Sequence, residues 1–229
     1  IKEVCMNLFR ALSYKEWMKT RRHIQIALLL IVAVTVYSYI ELTYSIRINE
    51  AVNVWYGFIY QGMSLSPFMM YILPLTGITL AVIQYVPEMI NKRLKLTLHL
   101  PYSETYIVLS MLAYGLSVLI LLYAFALILL VIVMSFIMPF EVVDMMIWQL
   151  LPWMIAGFCG YGFTAWICIE PQWKQRVSNI VVSVVILSIM FLSIYPGAYS
   201  GFTFGMIVLT AVSFVFPFYS CIRFKQGVQ

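Results

Sequence analysis

Between Arg176 and Arg223 the chain runs for 46 residues, Val177 to Ile222, without one Asp, Glu, Lys or Arg. As a single helix that run would measure about 69 Å at ~1.5 Å per residue, more than twice a bilayer hydrocarbon core of ~30 Å. It must fold back once, and Pro196-Gly197 followed by Ser200 and Gly201 supplies the turn chemistry for the reversal. Four further charge-free windows precede it: Ile24 to Ile40, Ala51 to Pro87, Thr105 to Phe140 and Met145 to Ile169. A charge at mid-bilayer costs several kcal/mol, so such windows mark membrane spans.

Composition agrees. The chain is 63% hydrophobic and only 10% charged, with a mean hydropathy of +0.95, against roughly 25% charged in an ordinary soluble domain. The net charge of +5 reflects the basic flanks that membrane insertion requires, and no nucleic-acid partner is expected. Cys5, Cys159, Cys168 and Cys221 form no CxxC pair and imply no disulfide framework. No cleavable signal peptide is expected, because six basic residues between Lys2 and His23 precede the first apolar run.

The expected fold is an all-α membrane protein, a single transmembrane domain over 1–229 built as a six-helix bundle. Spans are expected at about 24–42, 63–86, 105–137, 147–169, 177–195 and 203–222, after an N-terminal segment at 1–23. Residues 51–62, with Trp55, Tyr56 and Tyr60, read as an interfacial or re-entrant piece ahead of the second span. Thirteen of the fourteen Lys and Arg residues fall at the N-terminus, in the second and fourth connections and at the C-terminus; Arg47 stands alone on the other side. That asymmetry predicts both termini in the cytoplasm, in a cytoplasmic (inner) membrane.

Chemistry of the chain's own is hard to find. The spans contain no Asp, Glu, Lys or Arg to bind a coupling ion, which disfavours secondary transport, although Glu170 lies just outside one. His23 and His99 have no metal-ligand partner at a recognisable spacing, and no GxxxxGK[ST] loop is present. The chain is therefore not expected to be an enzyme or to hold a cofactor. Within the fourth span, Ala156, Gly160 and Thr164 recur every four residues, a spacing that favours close helix contact.

One connection stands out, the segment 87–103. Pro87 and Glu88 favour a helix starting there, with the carboxylate at the positive end of its dipole. Ile90, Leu94 and Leu98 then form an apolar stripe beside Lys92 and Arg93, ahead of Leu100-Pro101-Tyr102-Ser103. This pattern of Glu88, Lys92, Leu98, Leu100, Pro101 and Ser103 resembles the loop of type-2 ATP-binding-cassette (ABC) permeases. The stretch Tyr14 to Arg22, with Lys15, Trp17, Lys19, Arg21 and Arg22, is similar to the amphipathic elbow helix before that family's first span. His99 and Tyr102 depart from the pattern.

The resemblance implies a coupling helix, with Glu88, Ile90, Lys92, Arg93, Leu94, Leu98 and Pro101 docking on a separate ATPase subunit present in two copies. ATP and magnesium would belong to that partner. A second six-span permease subunit would complete the complex, and membrane lipid would hold the elbow. The path between the halves would be lined from the first, second and fifth spans, where Thr35, Tyr37, Thr76, Thr79 and Ser183 are the candidates. The function so implied is export of an amphipathic or lipid-like substrate. The alternatives are a subunit that passes ATPase-driven motion to a partner without moving solute, or an unrelated secondary transporter.

Overall fold

The computed structural model describes residues 2–63, 67–90, 104–195 and 197–225. Among the described residues every regular element is a helix: α1 Lys2–Tyr60, α2 Pro67–Ile90, α3 Glu104–Ser135, α4 Phe140–Ile169, α5 Trp173–Ile189, α6 Thr203–Ser213 and α7 Phe216–Lys225. Five stretches are long and apolar enough to cross a membrane: residues 10–49 of α1, then α2, α3, α4, and α6 with α7 taken together. Helix α5 has 17 residues, about 26 Å. It turns Asn179 and Ser183 inward and leaves Val181, Val184 and Val185 exposed. A helix facing water would do the reverse.

Helix α4 is the hub, packing most extensively on α2 and touching every other helix. The contact with α2 is backbone-close because glycines face each other. A Cβ added to Gly77 would lie 2.1 Å from the Gly157 carbonyl oxygen, and one added to Gly160 would touch Ile78. The close register thus runs through Gly157 and Gly160; Ala156 instead packs into a second apolar cluster with Cys159, Phe163, Met190 and Met206. Thr164 is only half-buried.

Several boundaries differ from expectation, for identifiable reasons. The helical backbone of α1 continues unbroken from the N-terminal segment into the first span, with no elbow between residues 23 and 24. At the far end Glu50 takes φ 65° and ψ 151°, a region that disfavours any side chain, and the chain bends there. Residues 51–60 then continue as helix, burying Val54 and Phe58 while Tyr56 and Tyr60 stack outside at 4.8 Å. The last crossing is split at residues 214–215, where Pro217 cannot donate to the Ser213 carbonyl. Gly197 has φ +73° in open space, as a reversal after α5 requires.

Candidate functional site

Helix α2 does not stop at Pro87. It absorbs Pro87 to Ile90 as its last turn, which overturns the reading of Pro87 as the start of a new helix. Pro87 is tolerated because only one intrahelical bond, to the Ile83 carbonyl, is lost. Glu88 consequently lies in the last described turn of α2, and its side chain is 1% exposed. Such a carboxylate needs cations close by.

Helix α1 supplies them. Lys15 Nζ donates to Glu88 Oε2 at 3.0 Å, and Lys19 Nζ donates to Oε1 at 2.7 Å. These two lysines therefore point into the bundle and not toward lipid headgroups, correcting the elbow reading for them. Trp17, Arg21 and Arg22 remain on the exposed face. Lys19 is shared: its Nζ is also 2.8 Å from Oε1 of Glu16, a second carboxylate 1% exposed. Neither oxygen of Glu16 has a well-aligned hydrogen-bond donor. Burial pushes the Glu16 carboxyl above the ordinary carboxylate range, against the pull of Lys19. For Glu88 burial also acts upward, but hydrogen bonds from Lys19 and Lys15 outweigh it and hold the group below that range.

A column of polar groups continues from this joint into the bundle. Thr20 Oγ1 donates to the Glu16 carbonyl at 3.0 Å and lies 2.7 Å from the Tyr114 hydroxyl of α3. Gln84 of α2, fully buried, donates to the Met111 carbonyl of α3 and accepts at 2.9 Å from the Tyr161 hydroxyl of α4. The Tyr85 hydroxyl lies 3.3 Å from that of Tyr161. The four longest helices are thereby tied by polar contacts at one level. A second tie closes the same end: Glu170, fully buried after α4, accepts from Ser220 at 2.6 Å and pairs with Arg223 of α7 at 3.3 Å. The start of α1 and the end of α7 thus lie at the same end of the bundle.

Of the expected coupling residues, Lys92, Arg93, Leu94, Leu98 and Pro101 lie outside the described residues; Ile90 is exposed at the end of α2. The five path candidates are not gathered on one surface. Thr35, Thr76 and Ser183 are buried and donate to their own helices, a common use of such hydroxyls. Tyr37 is exposed against the edge of Phe68, and Thr79 meets His23 at 3.2 Å. Cys159 and Cys168 are free thiols. Among the described residues no three His, Cys, Asp or Glu side chains converge as a metal site.

Glu16, Thr20, Tyr85, Tyr114 and Tyr161 were not singled out by sequence. Glu16 and Lys19 do have the (i, i+3) spacing of a helical ion pair, but nothing local reveals that their partner is 69 residues further on. Comparison with family models, with curated proteins and with solved structures finds no match to this chain.

Proposed function

We propose that this chain is the membrane-spanning subunit of an ABC-type exporter, moving an amphipathic or lipid-like substrate with energy from a separate ATPase. The observation that carries the reading is the joint at Glu88. It ties the base of α1 to the last turn of α2, directly where the chain enters the segment 91–103 whose pattern resembles a coupling helix. A push on that segment reaches α1 through two charge-assisted bonds and α4 through the glycine contact of α2. The six-crossing count, with α5 as the fifth, and both termini in the cytoplasm belong to this proposal, as do two ATPase copies and a second permease subunit.

Apolar outer faces and buried hydroxyls favour a substrate that partitions into lipid over an ion, since the charged residues of the described spans lie toward their ends and leave the central stretches without fixed charge. The test is the double substitution Leu94→Ala and Leu98→Ala, studied in the complex reconstituted into lipid. Membrane insertion and the amount of complex should be unchanged, while ATP turnover persists and substrate export is lost. Export at the wild-type rate would reject the docking role of this segment.

A further inference from the structure

The charged joint contains one group that its neighbours do not satisfy. Glu88 has both oxygens occupied by lysine, whereas Glu16, equally buried, has among the described residues one close ammonium, Lys19 at 2.8 Å, and no well-aligned donor on either oxygen. Lys19 already serves Glu88 at 2.7 Å. Two carboxylates thus compete for one ammonium, and the charge of each raises the cost of the other. Among the described residues the other ionisable groups within reach of Glu16 are Lys15 on α1, Tyr85 on α2, Tyr114 on α3 and Tyr161 on α4. Lys15 donates its hydrogen bond to Glu88 and draws on Glu16 only through space, as the smallest of the influences on that carboxyl, and three neutral phenols add no positive charge.

We infer that the α1–α2 joint is proton-linked through Glu16: packing of this carboxyl against a lysine it shares with Glu88 favours its protonated form, and opening of the joint to water favours release of the proton. With Glu16 neutral, Lys19 belongs to Glu88 alone and the pair between helices is strongest. With Glu16 ionised, a buried charge that shares its one close ammonium with Glu88 is left in the closed joint, and hydration on opening relieves it. Closing then takes up a proton from the same side. The inference goes beyond the transport reading and stands whatever drives the bundle.

The sign follows from the two carboxyls. Glu16 is held above its ordinary value near 4.5, so its share in the packed state is complete below that value and is lost as pH rises through the raised one. Glu88 is held below 4.5, so its share is complete above that value and is lost as pH falls through the depressed one. The joint is tightest near the ordinary value of 4.5, where both shares are complete, and loosens as pH rises from there through the raised Glu16 value.

Hydrogen exchange of the full chain in lipid nanodiscs tests this, reading the amides of residues 10–23 from pH 5 to 9 after correction for intrinsic rates. In the wild type, opening of this segment should rise up to about tenfold per pH unit across the interval between the ordinary and the raised value, the limit for one linked proton. Glu16→Gln, a neutral mimic, should abolish that slope and hold low-pH protection throughout. Glu88→Gln should weaken protection at every pH yet keep the upper slope. A wild-type profile without slope, or Glu16→Gln with the wild-type slope, would overturn the inference. Should Glu16→Gln fail to assemble, infrared difference spectra of wild type decide: a protonated-carboxyl band must disappear above the range of an exposed glutamate, and its absence rejects the proposal. No nucleotide enters either experiment, so failure here leaves the exporter reading standing.

Discussion

Removing Lys15 and removing Lys19 should have unequal effects, because the two lysines hold different amounts of buried charge. Lys15 is 33% exposed and serves one oxygen of Glu88, which would retain Lys19 if Lys15 were lost. Lys19 is 15% exposed and contacts both Glu88 and Glu16. Lys19→Met therefore removes the ion-pair partner of Glu16 and leaves Glu88 with Lys15 alone. Breaking a buried pair from one side costs about 3–5 kcal/mol. Allowing for the ability of Glu16 to take up a proton instead, Lys19→Met should destabilise by roughly 3 kcal/mol and Lys15→Met by about 1 kcal/mol, as solvent screens the latter.

The assay is thermal unfolding of the full chain in nanodiscs, followed by tryptophan fluorescence. A soluble domain of this length would show a shift of roughly 2–4 °C per kcal/mol, so the two variants should differ by several degrees. Adding Glu16→Gln to Lys19→Met should recover part of the loss, about 1–2 kcal/mol, because the stranded charge is gone; contacting residues couple on this scale. Equal losses for Lys15→Met and Lys19→Met, or no recovery in the double variant, would refute the shared-lysine geometry.

Two further substitutions probe the frame around the joint. Gly77→Ala should block the α2–α4 contact, since its Cβ meets the Gly157 carbonyl at 2.1 Å, costing about 1–3 kcal/mol or more. Gly201→Ala, which meets nothing within 4 Å, should be close to neutral, and yields of folded protein in detergent will separate the pair. Tyr161→Phe leaves the Gln84 carbonyl oxygen unpaired and takes the acceptor from Tyr85, which should lower stability by about 1–3 kcal/mol in the same unfolding assay.

The bundle was legible because lipid imposes a one-dimensional rule. Charge-free windows must be helices of membrane length, so α3 at Glu104–Ser135 lies within two residues of its expected bounds. The end of α4 at Ile169 was fixed just as firmly by Glu170 beyond it. Where two local signals compete, the rule is silent. Pro87 with Glu88 has the look of a helix start, yet tertiary charge from Lys15 and Lys19 lets α2 run through both. The joint was hidden for the same reason, since Lys15 and Lys19 fit a lipid-facing basic segment until the fold brings Glu88 beside them. Gly77 against Gly157 was half visible: the small-residue spacing pointed to α4, but which face it served depended on α2.

The exporter account depends most on what the segment after Ile90 touches. A photo-crosslinking amino acid at Leu94, activated in living cells that make the full chain, reads that contact directly. The account predicts an adduct with a polypeptide that carries a nucleotide-binding GxxxxGK[ST] loop, formed without disturbing the Glu88 joint. An adduct confined to lipid, or to a protein on the side of Arg47, would contradict it.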